Sequence, residues 1–131
     1  MRTMTDPTAP WPHGTGDRWR SEAAATPDQA ALLDVPPGTT LTVETTEYLD
    51  LNSRPSHLRI VRMPPEDRGP AVTHHGETWM RSAVAGEAGV LGVTIGSGLL
   101  IVSLVWFAAD GRPVTAEDLV LPGDRWRVRN S

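Results

Sequence analysis

Residues 88–109 form an uncharged run of 22 residues, and the conformation of this run constrains the rest of the fold. As one helix it could cross a bilayer, which requires about 20 apolar residues. Gly92 and Gly96 would then form a GxxxG pair that lets two helices approach closely. As two strands on either side of Gly96-Ser97-Gly98, the run would instead form the centre of a β domain.

The residues outside this run favour strands. Only 17 of those 109 residues are Leu, Ile, Val or Phe, which is too few to build a core without the run. Apolar and polar residues alternate around Leu41 and around Trp126, which predicts half-buried strands that need a hydrophobic partner layer. Alternate residues of the run share a face: Leu91, Val93 and Ile95 before the glycines, and Leu100, Val102, Leu104 and Trp106 after them. We therefore predict strands at 90–95 and 99–108.

The composition favours a small β domain with many loops. A chain of 131 residues supports one core, and 12 glycines with 12 prolines are unusual for a helical bundle. The absence of cysteine excludes disulfides and thiolate metal sites. A net charge of −4 weighs against nucleic-acid binding. The N-terminus lacks the apolar segment of a signal peptide, so we expect a cytoplasmic protein, with a membrane-anchored protein as the alternative.

The chain divides into an N-terminal arm and a β domain. Residues 1–25 are rich in Pro, Thr, Gly and Ala and predict a flexible arm, followed by a β domain over 26–131. Trp11 and Trp19 are unusual in such an arm, so we expect at least one of them to dock on a surface of this chain or of a partner. Thr26-Pro27-Asp28-Gln29 predicts the start of one short helix, because Thr can cap it and Gln can reach back.

The remaining segments predict a mainly β, single-domain barrel or sandwich. The predicted strands are 40–49, 57–63, 78–84, 90–95, 99–108, 119–121 and 125–129. Thr115–Asp118 resembles a capping box and predicts one helical turn. Residues 64–77 predict the longest irregular segment inside the domain, and long loops often carry function.

A cluster of histidines is the most suggestive group for chemistry. His74, His75 and Glu77 lie close together in the sequence, and His57 is a third possible imidazole ligand. Imidazole and carboxylate groups suit zinc, iron or manganese. In a polar loop, however, histidines are more often simply solvated. We therefore expect no cofactor, with a divalent metal at these residues as the alternative.

The C-terminal segment 118–130 carries a Pro-Gly turn before a strand. This segment resembles the second motif of the cupin superfamily, in which Pro and Gly precede a metal-binding His that is followed four residues later by Asn. Pro122, Gly123 and Asn130 match that motif. Trp126 takes the place of the metal-binding His, and no His-x-His pair matches the first cupin motif. The resemblance implies a jelly-roll barrel without the usual metal, with Trp126 at its mouth or in its core.

Three hypotheses for the function follow from these features. The first is a binding or assembly module that pairs with a protein partner or a second copy and docks into a larger particle through its arm. The second is a cupin-like enzyme or small-ligand carrier with an apolar cavity. The third is a single-span membrane protein. The tryptophans that could bind a ligand or dock are Trp11, Trp19, Trp79 and Trp126. Whether the chain is an enzyme stays open, because no nucleophile motif is present.

Overall fold

The computed structural model describes residues 1–129, which form eight strands and two helices. In chain order these are β1 (Arg2–Met4), β2 (Thr15–Ala24), α1 (Pro27–Leu33), β3 (Thr40–Leu49), β4 (Pro55–Met63), β5 (Ala71–Ser82), α2 (Ala85–Leu91), β6 (Gly98–Ala108), β7 (Pro113–Pro122) and β8 (Trp126–Val128). Six strands form one antiparallel sheet in the order β2-β3-β4-β7-β6-β5, and β1 pairs with β8 in parallel. The six-stranded sheet is open, with β2 and β5 at its edges.

The sheet is built from two copies of one β-α-β-β unit. The first unit is β2-α1-β3-β4, and the second is β5-α2-β6-β7. The units meet where β4 pairs with β7, and Ile60 there lies opposite Asp118, which follows it by 58 positions. A pseudo-two-fold axis therefore passes between these two strands, and it accounts for the symmetric strand order.

The two units keep the residues that fix the connection from helix to strand. These residues, each pair offset by 58 positions, are Ala25, Ala30, Leu33, Gly38 and Leu41 in the first unit, and Ala83, Ala88, Leu91, Gly96 and Leu99 in the second. The alanines and leucines are buried in both units. The glycines have φ of +84° and +87°, which only glycine adopts easily. The N–H of Ala25 donates to Thr39 O at 2.8 Å, and the equivalent bond from Ala83 to Ser97 O has the same length.

The two faces of the sheet carry different layers. One face is covered by the helices: α1 packs on Leu41 and Ala116, while α2 packs on Leu58, Leu99, Ile101 and Val120. The other face carries Val102, Leu104, Leu119 and Leu121, which pack with Trp126 and with residues of the N-terminal segment. A loop segment rather than a helix therefore covers the second face, and this arrangement leaves room for a cavity.

One arginine closes the C-terminal end of each helix. The Arg68 guanidinium donates to the carbonyl oxygens of Leu33, Asp34 and Pro113. The Arg125 guanidinium donates to the equivalent carbonyl oxygens, those of Leu91, Gly92 and Pro55. Helix C-termini leave carbonyl groups without intrahelical partners, and these donors satisfy them. The Arg68 side chain is only 1% exposed, whereas that of Arg125 is 37% exposed.

The cap of α1 gives a prediction for the free energy of unfolding. Thr26 Oγ1 accepts from the N–H of Gln29 at 3.2 Å, and Gln29 Oε1 accepts from the N–H of Thr26 at 3.1 Å. We expect Thr26→Ala to lower the free energy of unfolding in urea by about 1 kcal/mol, because the first turn loses this cap. Val84, the equivalent residue before α2, has no hydroxyl, so Val84→Ala is the control and should change it by less than about 0.5 kcal/mol. Equal effects of the two changes would contradict the prediction.

The uncharged run 88–109 contains part of a helix, a loop and a strand. Its first residues complete α2, which ends at Gly92 with φ of +67°. The strand predicted at 99–108 is confirmed as β6, but the strand predicted at 90–95 is wrong. Ala88 and Leu91 are buried at helical spacing against the sheet, and this packing outweighs the alternation over 91–95. In the described part of the chain, neither helix is long and apolar enough to cross a membrane.

Several other predictions need correction. Thr115–Asp118 lies inside β7 rather than in a helical turn, because pairing on both sides with β4 and β6 outweighs the local cap pattern. The second half of the predicted loop 64–77 belongs to β5. The mainly β class and the helix after Thr26 are confirmed. The predicted barrel or sandwich is not formed by residues 1–129, because the sheet stays open and a second helix covers it.

Residues 1–25, for which the composition predicts a flexible arm, contain two strands. β1 lies beside β8, and β2 pairs with β3 as an edge of the main sheet. All ten residues of β2 are exposed, so the segment shows none of the apolar alternation by which half-buried strands are recognised.

Candidate functional site

A cavity of about 560 Å³ lies on the sheet face opposite the helices. Strands β3, β4, β6 and β7 form its floor, and residues 2–12 form its roof. The charged and aromatic side chains that line it are Arg2, Asp6, Trp11, Tyr48, His57, Arg59, Trp106, Glu117 and Trp126. Small-molecule sites are usually concave and mostly apolar, with a few polar groups that fix orientation. This cavity is concave but more polar than most such sites, because polar and apolar surface contribute about equally to its lining.

Trp11 fixes the roof to the floor. Its Nε1 donates to Leu49 O at 2.8 Å. Its ring centroid lies 4.7 Å from that of His57 and 5.9 Å from that of Trp126. The Arg2 guanidinium lies 5.3 Å from the Trp11 ring centroid, in a cation–π contact. The tryptophan of the N-terminal segment therefore docks on its own domain.

His57 contributes an uncharged ring to the cavity wall. Its side chain is 2% exposed, and its Nδ1 lies 2.9 Å from Ser56 Oγ. Burial, together with the positive charge of Arg2, lowers the pKa of His57 from 6.5 to about 4. At neutral pH the imidazole is therefore neutral, and it packs against Tyr48 with ring centroids 4.8 Å apart.

Arg59 and Glu117 form the polar part of the floor. Glu117 is 4% exposed, and its Oε1 accepts from Trp106 Nε1 at 2.9 Å while its Oε2 accepts from Arg59 Nε. Neither terminal nitrogen of Arg59 donates to another side chain or carbonyl within residues 1–129. The Arg59 side chain is 42% exposed, and it lines the cavity. A guanidinium held at Nε presents a two-pronged donor to a ligand, which suits a carboxylate or phosphate group.

The predicted metal residues do not converge. His74 and His75 lie on edge strand β5, whereas His57 lies on β4, three strand spacings or about 14 Å away. The His74 ring packs against Trp106 in a tilted arrangement with centroids 4.7 Å apart, and Glu77 lies on the other face of β5. No group of three or more His, Asp and Glu residues suited to a metal ion occurs across residues 1–129. The structure thus gives no geometric support for the divalent-metal alternative.

The four predicted tryptophans separate into two pairs. Trp11 and Trp126 line the cavity together. Trp19 and Trp79 lie on the helix side of the edge strands, each 43% exposed, and Trp79 Nε1 donates to Ser103 Oγ at 2.9 Å.

Sequence reasoning missed four cavity residues: Tyr48, Arg59, Trp106 and Glu117. Tyr48, Arg59 and Trp106 lie in the strands predicted at 40–49, 57–63 and 99–108, but none of them was among the predicted site residues. Glu117 was read as part of a turn. The signal that could have identified Arg59 and Glu117 is a charged residue on the same face of a strand as apolar residues. Recognising it requires the correct bounds of that strand.

No protein-family model matches the sequence, and no curated protein matches it either. Solved structures do match. A transcriptional regulator assigned to the GntR family matches with a TM-score of 0.80 and 20% identity, covering 99% of this chain and 69% of that chain. The effector domain of PhnF from Mycobacterium smegmatis matches with a TM-score of 0.70 and 15% identity, covering 87% and 85%.

The ligand-binding domain of a GntR-family regulator from Bordetella bronchiseptica has a TM-score of 0.67 and 19% identity, covering 88% of this chain and 91% of that domain. At these identities the likeness establishes the fold alone. It also overturns the cupin resemblance, because the Pro122-Gly123 turn leads into the three-residue strand β8 rather than into a barrel strand. Asn130, the last residue of the cupin-like segment, lies outside the described residues. This chain therefore shares its fold with the effector domain of PhnF and with the ligand-binding domain from Bordetella bronchiseptica.

Proposed function

We propose that this chain is a ligand-binding effector domain of a transcriptional regulator, and that its cavity binds a small organic anion. The observation that carries the proposal is the buried Glu117, which holds Arg59 at Nε in the cavity wall and, within residues 1–129, leaves both terminal nitrogens of Arg59 without a protein acceptor. The rings of Trp11, Trp106 and Trp126 would cover the apolar body of the ligand. The fold that this chain shares with the effector domain of PhnF supports the same assignment.

Binding is favoured over catalysis by the state of the ionisable groups. Both oxygens of Glu117 accept hydrogen bonds from protein donors, so this carboxylate serves to position the side chains of Arg59 and Trp106. His57 is neutral and has its Nδ1 at hydrogen-bond distance from a serine hydroxyl. These groups form a fixed, preorganised wall, which suits recognition. The proposal implies a cytoplasmic protein, because a transcriptional regulator acts where transcription takes place.

The proposal is tested by thermal unfolding in the presence of small carboxylates, sugar phosphates and their uncharged analogues. We expect at least one anion to raise the melting temperature, because a ligand at 100 times its Kd stabilises the folded state by about 2.7 kcal/mol. Arg59→Met should weaken binding of that anion at least tenfold. Quenching of tryptophan fluorescence gives a second readout, because three of the five tryptophans line the cavity.

Arg62→Met is the matched control for this experiment. Arg62 belongs to the same strand but faces the helices, where it donates to Asp118 Oδ2 at 3.1 Å. Its replacement should leave the affinity within about twofold of the wild type. A panel without any stabilising anion, or equal losses for the two arginine variants, would refute the proposal.

A further inference from the structure

The roof of the cavity carries an acidic side chain, Asp6, above a floor that presents Arg59. Four charged side chains line the cavity, those of Arg2, Asp6, Arg59 and Glu117. Glu117 is paired with Arg59, so within residues 1–129 Asp6 is the one acid of the lining without a salt bridge. Because like charges repel, this carboxylate disfavours a plain anion in a cavity that binds through Arg59. Its presence therefore says something about the ligand.

The Asp6 carboxylate is held in place by the turn that follows it. Its Oδ1 accepts from the N–H of Thr8 at 2.9 Å and from Thr8 Oγ1 at 2.6 Å. The N–H of Ala9 donates to Asp6 O at 3.2 Å, which closes the turn. Among residues 1–129 no donor reaches Asp6 Oδ2. One oxygen of an oriented carboxylate is therefore available to accept a hydrogen bond from a ligand.

Asp6 and Arg59 lie apart, with the ring of Trp106 in the interval. The hydrogen bonds from Thr8 lower the pKa of Asp6, and the nearby imidazole of His74 lowers it further. The His74 ring in turn lies 4.7 Å from that of Trp106, so Asp6 belongs to the Trp106 end of the cavity. Arg59 stands on β4, two strand spacings or about 10 Å from the β6 strand that carries Trp106.

Glu117 connects the two ends of this arrangement. Its Oε2 accepts from Arg59 Nε, and its Oε1 accepts from Trp106 Nε1 at 2.9 Å. The guanidinium and the indole are thus fixed relative to each other, with the indole extending from Glu117 toward His74. A ligand that binds Arg59 at one end can therefore lie along the Trp106 ring and reach Asp6 at the other end.

We propose that the ligand of this cavity is a zwitterion, whose acidic group binds the Arg59 guanidinium and whose ammonium group binds Asp6 Oδ2 against the Trp106 ring. This inference rests on the proposed function and specifies its ligand. An ammonium group is attracted both by a carboxylate and by the face of a tryptophan. The charge of Asp6 also weakens the binding of anions that lack an ammonium group, and such a difference between two affinities is what makes a site specific.

Isothermal titration calorimetry of the whole chain with matched pairs of probes tests the proposal. δ-Aminovalerate and ε-aminocaproate carry a terminal ammonium group, whereas valerate and caproate lack it. We expect each amino acid to bind at least tenfold more tightly than its partner. In Asp6→Asn this preference should fall to within about twofold, because asparagine keeps an oxygen for Thr8 but carries no charge. Arg59→Met should weaken the binding of both members of each pair.

Two further variants separate the charge of Asp6 from the integrity of the roof. Asp17→Asn is the matched control, because Asp17 is exposed on β2 and does not line the cavity, and it should leave every affinity within about twofold of the wild type. Asp6→Lys should reject δ-aminovalerate. It should instead bind glutarate, which has an acid at each end, at least tenfold more tightly than the wild type does. A damaged roof cannot produce this gain.

The outcomes distinguish this inference from the proposed function. Equal affinities of the wild type for the two members of each pair, or a preference that Asp6→Asn leaves unchanged, would overturn the inference. The proposed function would still stand if binding of the anions depended on Arg59. Equal losses of both members in Asp6→Asn, without a gain of glutarate in Asp6→Lys, would also overturn it. If neither series binds, the inference is refuted, and the wider panel of anions described above decides the proposed function separately.

Discussion

Replacing Arg68 by alanine should lower the free energy of unfolding by about 3 to 5 kcal/mol, the largest loss we expect for any single side chain of this protein. The guanidinium is buried and donates to three carbonyl oxygens at the end of α1 and the start of β7. Alanine would leave the carbonyl oxygens of Leu33 and Pro113, whose bonds to Arg68 are buried, without their donor. Urea unfolding followed by circular dichroism measures the loss.

The second unit supplies the control for this prediction. Arg125 makes the equivalent bonds at the end of α2, but its side chain is 37% exposed, so water can replace it. Arg125→Ala should cost only about 1 kcal/mol. Equal losses in the free energy of unfolding for the two variants would show that burial of the arginine does not determine how much it stabilises the end of the helix.

The second large effect concerns pH, and it belongs to His57. Its pKa is about 4 in the folded state, against 6.5 for a solvated histidine, so the unfolded chain binds the additional proton between these two values. The stability that the neutral ring provides is therefore complete above pH 6.5 and is lost as the pH falls toward 4. A shift of this size corresponds to about 3 kcal/mol. Urea unfolding at pH 7, 6, 5 and 4.5 should show this loss.

His57→Phe removes the titrating group and keeps a ring in the wall, so its stability should vary much less over the same range. Interactions that lower the pKa of Asp6, Asp50, Glu66 and Glu87 also weaken in acid. Their contributions fall mainly below pH 4.5, outside this window. His75→Gln is the matched control on the exposed edge and should retain the pH dependence of the wild type. An unchanged slope in His57→Phe would assign the effect to another group.

The strands that the sequence predicted correctly have at least one buried face. Leu41 and Val43 alternate with polar residues along β3, whereas β6 is apolar on both faces. Edge strand β2 was not predicted, since it has no buried residue and so no pattern to detect, and only the C-terminal part of edge strand β5 was predicted, at 78–84. Helix α2 was not predicted because its two glycines disfavour a helix and apolar residues alternate from its last residue onward; its packing on β4 and β6 decides its conformation.

The candidate site was predictable only in part. Trp11, Trp126 and His57 were singled out as unusual residues, and the structure brings all three to the cavity. Arg59 and Glu117 were not, because their meeting depends on the register between β4 and β7. The repeat of 58 positions, visible from Ala25 to Leu41 and from Ala83 to Leu99, indicates the two units, but the packing of β4 against β7 sets the register between them.

The pseudo-two-fold axis has a consequence for how the cavity acquired its polarity. Arg59 and Glu117 are separated by 58 positions, so they are the same site in the two units, and they bond to each other across the axis. Two identical polypeptides related by symmetry could place only arginine against arginine or glutamate against glutamate there. Fusion of the units into one gene product lets each copy mutate alone, and a cation and its counter-ion can then face each other where symmetry would forbid it.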